Sequence, residues 1–535
     1  MAERTFQGRR AAPGLAQGPL VELPDALDDR IESAATPRQE RERLLAAIAR
    51  AKAELEALAA ADAALGAEIL EFQIEMLGDE LLAEGALAAI AEGSAAAAAW
   101  RAALDPQIDA YREAEDEYFA ARASDLADLR DRVLLALQGD VVAQDELPAG
   151  AILLAMDLTP SRFLALDWQR LAGAALRAGS RDSHVAMLAR ARGVPLVVGL
   201  GPAPEAAGDA ILDADEGALI TGPEDATRST YRERLATLRQ EAARAAELRH
   251  RPAVTAGGEP VVVMVNVDDP AAIDDRTLQA SDGVGLLRTE FLFIGRPRLP
   301  GEDEQHAVYR TLLERLGGRP AIIRTLDVGG DKPLPALRLA PESNPFLGLR
   351  GLRLCLERPE VFRPQLRALL RAAAAGPLKI MLPMVTVAEE LQEARALIAD
   401  CLAALQREGI AAALPPLGIM VETPASALAI DTLDADFYSI GSNDLTQYVM
   451  AAARDAGGRV AALADPLHPA VLRLIERVIA HGRSTGREVS LCGEMASEPE
   501  ALERLLGLGL RRFSVAGAAL GRVKLEVAEF GRGDG

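Results

Sequence analysis

The chain has 535 residues and a mass of 56.6 kDa, enough for about three to four domains and several buried cores. Half of its residues are apolar, 26% are charged and three are cysteine, which excludes disordered, collagen-like and disulfide-scaffold classes. With 58 Lys and Arg against 80 Asp and Glu, the formal charge of −22 repels nucleic acid and anionic membrane, and favours small molecules or basic protein faces as partners.

In chain order, Ala12-Pro13-Gly14-Leu15-Ala16-Gln17-Gly18-Pro19-Leu20 predicts a turn leading into a short strand. From Arg30 to Asp140 the sequence is rich in Ala, Leu, Glu and Arg, has few Gly or Pro, and repeats its apolar residues at helical spacing, which predicts a helical bundle. That stretch holds 11 Lys and Arg against 23 Asp and Glu, and no basic residue falls between Lys52 and Arg101. A face so electronegative steers a basic partner; the plainer alternative is a solvated acidic helix pair. Ala151 to Leu154 and Pro195 to Val198 read as further strands, so the bundle is inserted into an α/β domain. Arg228 to His250 is helix-periodic without Gly or Pro, as a connecting helix would be. The expected domains are residues 1–28 with 141–225, the insertion 29–140, a linker helix 226–251 and a barrel 252–535.

Beyond Pro252 short apolar runs alternate with helical stretches: Val261 to Val265, Gly283 to Leu287, Ala321 to Thr325, Lys379 to Met384, Gly418 to Val421, Phe437 to Ile440, Glu488 to Leu491 and Phe513 to Val515. Eight such units predict a closed (β/α)8 barrel, whose chemistry sits at the C-terminal strand ends. The residues at those ends are Asn266, Arg288-Thr289-Glu290, Asp327 with Arg324 inside the strand, Met384, Glu422, Gly441-Ser442-Asn443-Asp444 and Cys492-Gly493-Glu494. Arginines clamp phosphate and carboxylate in bidentate fashion, and acids hold a divalent cation. Taken singly, Arg288 or Arg324 reads as a salt-bridge arginine, Glu422 and Asp444 as their structural partners, and Cys492 as a small buried hydrophobe. Their conjunction points to a site for a phosphorylated carboxylic acid with magnesium.

His184, in Gly179-Ser180-Arg181-Asp182-Ser183-His184-Val185-Ala186, follows a turn and opens an apolar-periodic stretch, which places it near a helix N-terminus where the dipole favours a bound anion. A capping or surface histidine is the plainer alternative. Cys355, Cys401 and Cys492 have no CxxC spacing, so zinc and iron–sulfur are poorly supported. No segment is an 18-residue uncharged apolar run and Met1 to Arg10 does not resemble a secretion signal, so a cytoplasmic location is expected.

Together these motifs resemble enzyme I of the bacterial sugar phosphotransferase system, the phosphoenolpyruvate–protein phosphotransferases. The resemblance covers essentially the whole chain and is carried by Gly283 to Phe293, Arg324 to Pro333, Asn344 to Arg350, Gly418 to Pro424, Ser439 to Tyr448, Asp465 to Pro469 and Leu491 to Glu494. It implies a swivelling α/β phosphohistidine domain with an inserted helical bundle that docks an HPr-like phosphocarrier protein, then a phosphoenolpyruvate-binding (β/α)8 TIM barrel that forms a homodimer. It also implies His184 as phosphoryl acceptor, Arg288, Arg324, Arg350, Asn443 and Arg454 as substrate contacts, Glu422 and Asp444 as Mg2+ ligands, and Cys492 as the acid that protonates the enolate. Three positions depart from the family pattern: Ser180 breaks a usual glycine pair at Gly179-Ser180, Asp182 stands where Thr is usual, and Gln73 where histidine is common. They leave the carrier's identity open, together with an origin in a fused multiphosphoryl transfer protein. Two other readings are a phosphorylation-sensing relative with low turnover and a pyruvate phosphate dikinase or phosphoenolpyruvate synthase relative. The second would need a nucleotide-binding domain, and no Gly-rich phosphate loop precedes His184.

Overall fold

A computed structural model describes residues 3–23, 36–61, 65–112, 117–138, 147–181, 183–202, 205, 208–294, 296, 298–329, 335–337, 342–453, 460 and 462–532. Asp182 and Arg454 lie outside the described residues. The chain divides into two compact units, 1–238 and 239–535.

The first unit is built on an eight-stranded sheet of β1 (Arg4–Gln7), β2 (Arg9–Ala12), β3 (Leu15–Glu22), β4 (Ile152–Ala155), β5 (Gly173–Leu176), β6 (Leu196–Val198), β7 (Asp209–Asp213) and β8 (Ala218–Thr221). Its order is β1-β8-β7-β3-β4-β5-β6-β2, with β3, β4, β5 and β6 parallel and the flanking strands antiparallel. Between β3 and β4 the chain makes helices α1 (Pro37–Ala61), α2 (Leu65–Gly78), α3 (Glu80–Ala91), α4 (Ala96–Arg112) and α5 (Glu117–Gln138). These helices share a core with one sheet face and with α6 (Pro160–Ala165) and α7 (His184–Arg192): Leu55, Trp100, Leu129 and Val133 pack in the same cluster as Phe163, Val185 and Leu188. Ile152, Leu154, Val197 and Leu212 form a separate core on the other face. The alternation of these side chains along β4, to opposite faces, is what gives the sheet two cores.

Helix α8 (Asp225–Leu248) spans the boundary between the units and buries no side chain of its own.

In the second unit a two-residue strand, β9 (Ala253–Val254), leads into eight barrel strands: β10 (Pro260–Val267), β11 (Val284–Leu287), β12 (Ala321–Arg324), β13 (Leu378–Leu382), β14 (Leu417–Val421), β15 (Phe437–Ile440), β16 (Glu488–Leu491) and β17 (Arg512–Val515). All are parallel in sequence order, and β10 closes the ring by pairing with both β11 and β17. The predicted (β/α)8 barrel is therefore present, and each of the eight predicted strands overlaps an observed one. Strands covered on both faces read as unbroken apolar runs, which is why they were legible. Met264, Leu286, Ile322, Met381, Met420, Phe437 and Cys492 fill the lumen, so the barrel is plugged by side chains rather than open. Gly418 makes room for one of them, since a Cβ there would lie 2.4 Å from the Phe437 ring. Among the described residues no helix is long and apolar enough to cross a membrane.

Candidate active site

The polar side chains that follow the barrel strands converge at one end, as strand-end residues of a parallel barrel must. Arg324 is the last residue of β12 and is buried. Its Nη2 pairs with Glu290 Oε1 and its Nη1 with Asp327 Oδ2 at 2.8 Å. Arg350 is buried as well, with Nε 3.1 Å from Asp327 Oδ1 and Nη2 3.1 Å from Asp444 Oδ2. Asp327 is the hub that joins the two guanidinium groups. Burial opposes the charge on each, but Glu290 and Asp327 around Arg324, and Asp327 and Asp444 around Arg350, overcome it and hold both above the ordinary arginine value.

Glu422 follows β14 directly and is buried with the same group. Its Oε1 accepts the Met384 backbone N–H at 2.6 Å. Met384 reaches that position with φ of 58°, a left-handed conformation costly for a non-glycine residue. Gly351, at the same φ, packs beside it: a Cβ there would lie 3.0 Å from Met384 Cγ and 3.1 Å from Asp327 Oδ1. Burial, and then the charges of Asp444 and Asp327, push the Glu422 carboxyl up to about 8.

Asn443 and Asp444 lie in the first turn of the helix Ser442–Met450 that follows β15. Asn443 exchanges two hydrogen bonds with Glu494 across to β16: its Nδ2 donates to Glu494 Oε1 at 3.3 Å, and the Glu494 N–H donates to its Oδ1 at 3.0 Å. Cys492, just past β16, is buried between the lumen and this cluster, 3.4 Å from Ser439 Oγ. Burial raises its thiol above the ordinary value, with the charge of Glu422 adding to the effect, so Cys492 is a protonated acid at neutral pH.

Arg288 is placed differently. It follows β11 as predicted, but its guanidinium is half-buried and pairs with Asp268 at 2.7 Å rather than with the carboxylates around Arg324 and Arg350. Asp268, just past β10, was not singled out from the sequence, nor was Tyr448, whose hydroxyl accepts from Arg350 Nη1 at 3.3 Å. Tyr448 closes the Ser439 to Tyr448 motif, so its position was the signal; Asp268 offered none.

Among the described residues no group of three or more His, Cys, Asp or Glu is arranged to hold a metal ion by itself. The donor chemistry nevertheless fits a divalent cation: burial, and then the negative charges of Asp444 and Asp327, raise Glu422, so a cation there would relieve uncompensated negative charge, and two carboxylates are enough for a cation that completes its shell with water and substrate oxygens.

In the first unit, His184 is the first residue of α7, and the side chain of Ser183 caps the helix by accepting the Ala186 N–H at 3.2 Å. The predicted helix N-terminus is thus observed. Its Nδ1 lies 3.9 Å from Asp125 Oδ1 on α5. Gln73 is fully buried and donates to Asp128 Oδ2 at 3.0 Å, so the departure at that position is read inside the unit and not on an exposed face. Glu56, Glu71, Glu75, Asp79, Glu84 and Glu92 of the acidic stretch are exposed.

Three family models match in order: the N-terminal domain of PEP-utilising enzymes over residues 7–122, their mobile domain over 147–217 and their PEP-binding domain over 242–531. A phosphoenolpyruvate-protein phosphotransferase of Geobacillus stearothermophilus is 40% identical, over 97% of this chain and 92% of its own. One from Bacillus subtilis is 36% identical, over 99% of this chain and 95% of its own. A multiphosphoryl transfer protein of Rhodobacter capsulatus is 40% identical over 86% of this chain, which corresponds to 56% of that longer protein.

Proposed function

The chain belongs to the phosphoenolpyruvate-protein phosphotransferase family, and on that premise we propose that it takes the phosphoryl group of phosphoenolpyruvate onto His184, releases pyruvate, and passes the group to a histidine of an HPr-like phosphocarrier protein. The observation that carries this reading is the buried pair of guanidinium groups, Arg324 and Arg350, held among four carboxylates at the C-terminal end of the barrel.

Phosphoryl transfer through a loose transition state needs alignment and charge neutralisation more than covalent help. Arg324 and Arg350 are already fixed by Glu290, Asp327 and Asp444, so little side-chain ordering remains to oppose binding of phosphate and carboxylate. Arg288 exchanges Asp268 for the substrate anion, and Asn443 donates to it. Arg454 enters on the sequence resemblance alone. Glu422 and Asp444 hold Mg2+, which when bound neutralises phosphate charge. His184, as neutral imidazole, attacks phosphorus; the enolate left behind takes a proton at its methylene carbon from the Cys492 thiol. Transfer requires His184 to visit the barrel mouth and leave it, which the division at α8 permits.

Residues 1–28 with 141–225 form the phosphohistidine domain, 29–140 the carrier-docking insertion, 226–251 the linker and 252–535 the barrel through which the protein dimerises. The exposed carboxylates of the insertion attract a basic carrier face. The location is the cytoplasm, where such carriers are phosphorylated.

The test is incubation with labelled phosphoenolpyruvate and Mg2+. Acid-labile, base-stable label on the parent, absent from His184→Ala and from Arg324→Ala, is the expected result. Label that survives His184→Ala, or that requires ATP instead, refutes the assignment.

A further inference from the structure

The acceptor histidine opens α7 in the α/β part of the first unit, but the acidic group facing its ring comes from the helical insertion. Asp125 lies on α5 and is buried, and its Oδ1 is 3.9 Å from His184 Nδ1. The histidine side chain itself keeps 31% of its surface exposed.

One turn further along α5, Asp128 is fixed from three directions. Its Oδ2 accepts from Gln73 Nε2 at 3.0 Å and from the Ser161 N–H at 3.0 Å, and its Oδ1 accepts from Ser161 Oγ at 2.6 Å. Arg132, another turn on, donates to the same Ser161 Oγ at 3.0 Å and pairs with Glu54 at 3.2 Å. These bonds tie α5 to α1, α2 and α6, so the rotation of α5 about its axis is set. Residues three apart on a helix share a face, and the network that holds Asp128 therefore also aims Asp125.

We propose that Asp125 is a positioning residue for His184: its carboxylate holds the proton on Nδ1 and so leaves the Nε2 lone pair as the nucleophile. This rests on His184 being the phosphoryl acceptor. In a neutral imidazole one nitrogen carries hydrogen and the other is nucleophilic, and the partner of the first selects the tautomer. When Nε2 attacks phosphorus, the Nε2–P bond forms and the bridging P–O bond breaks, with its electron pair leaving on the enolate oxygen. No proton leaves the ring. The phosphorylated ring keeps its Nδ1–H and becomes cationic, and the Asp125 carboxylate neutralises that charge as it develops. Departure of phosphorus to the next acceptor restores the same neutral tautomer. At 3.9 Å the contact is within ion-pair reach and longer than a hydrogen bond, as resting contacts to catalytic groups often are before charge appears. A buried aspartate that orients a nucleophilic or basic imidazole is a general solution to this tautomer problem.

The inference makes the insertion part of the acceptor site and not only a docking platform. It also separates Asp125 from the barrel, so its loss should act on the chemical step and not on substrate affinity.

The experiment uses the full chain labelled with 15N-histidine, as parent, Asp125→Ala, Asp125→Asn and Asp125→Glu. Two-bond proton–nitrogen correlations read the His184 tautomer before phosphoenolpyruvate is added. The Nδ1–H tautomer is expected to dominate in the parent and in Asp125→Glu, and to lose its dominance in Asp125→Ala. Phosphoenolpyruvate–pyruvate exchange is expected to show kcat lower by roughly 10- to 100-fold in Asp125→Ala, the range typical of groups that orient a ligating or reacting histidine, with KM unchanged and partial rescue by Asp125→Glu. A parent tautomer and parent kcat in Asp125→Ala overturn the proposal; if Asp125→Ala does not fold, the same result in Asp125→Asn, whose amide has no charge to neutralise the ring, overturns it equally. A tautomer that depends on Asp125 in a chain that takes up no label supports the orientation and refutes instead the phosphoacceptor reading beneath it.

Discussion

Substituting Gly493 by alanine tests whether the geometry of the barrel mouth, and not merely its composition, sets the reaction rate. Gly493 lies between Cys492 and Glu494 and faces the start of the helix Ser442–Met450. A Cβ added there would lie 1.7 Å from Ser442 Oγ and 2.9 Å from Asn443 Oδ1. Real Cβ contacts are essentially never closer than 3.0 Å, so the Ser442 hydroxyl must swing away, and the Ser442 Cβ and the Asn443 amide oxygen, both at 2.9 Å, must give as well. The Asn443 amide oxygen is the acceptor of the Glu494 N–H, so its displacement disturbs the paired bonds between Asn443 and Glu494 beside Asp444. A misplacement of about 1 Å costs on the order of 100-fold in rate, and the overpacking itself costs about 1–3 kcal/mol of stability. Pyruvate release, measured by a coupled dehydrogenase, should therefore fall in Gly493→Ala, by up to about 100-fold if the shift reaches that size, while the protein remains folded at 25 °C. Ser442→Gly removes both the Oγ and the Cβ that the new methyl meets, so the double variant should regain most of the rate. Parent-like turnover in Gly493→Ala, or a double variant no better than the single, would refute the reasoning.

Other outcomes follow from the same contacts. Arg324→Lys keeps the charge but loses the fork that reaches Glu290 and Asp327 at once, so kcat/KM should drop by roughly 100-fold or more in steady-state assays, with little recovery at higher substrate. The Cys492 thiol is raised by burial, so its thiolate, which appears only above the thiol's folded value, is scarce until pH passes the ordinary 9.0; iodoacetamide should modify it far more slowly than a free thiol between pH 7 and 9 and faster above that range, as followed by mass spectrometry. Lys524 is buried and donates to the carbonyls of Arg249, Arg251 and Ala280 at 2.9, 2.8 and 2.6 Å. Lys524→Met orphans three acceptors at about 1 kcal/mol each, so urea denaturation should show a loss of about 3 kcal/mol.

The barrel was legible because its strands are covered on both faces and its helices intervene at regular intervals, so two periodicities alternate along the sequence. Reading the residues at the ends of the apolar runs then yielded Asp327 with Arg324 inside its strand, Glu422, Asn443, Asp444 and Cys492, all of which the structure gathers at one end. The sheet of the first unit was harder to read. β1, Arg-Thr-Phe-Gln, is mostly exposed and has no apolar run, and β5, Gly-Ala-Ala-Leu, is as consistent with helix as with strand. Arg288 was expected to face the substrate, but its resting partner Asp268 follows the preceding strand, and it is the parallel pairing of β10 with β11 that brings the two strand ends together. Asp125 and His184 are 59 positions apart on elements with different periodicity, and nothing in either segment announces that they meet.

Helix α8 runs for 24 residues with no buried side chain, while a separate apolar core lies in the chain on either side of it. A helix that buries no side chain adds little to either core, so each unit should melt on its own contacts. Calorimetry should accordingly resolve two endotherms. Trypsin, offered the exposed Arg232, Arg234 and Arg239 on this helix, should nick there first and leave two fragments that each still unfold as a unit.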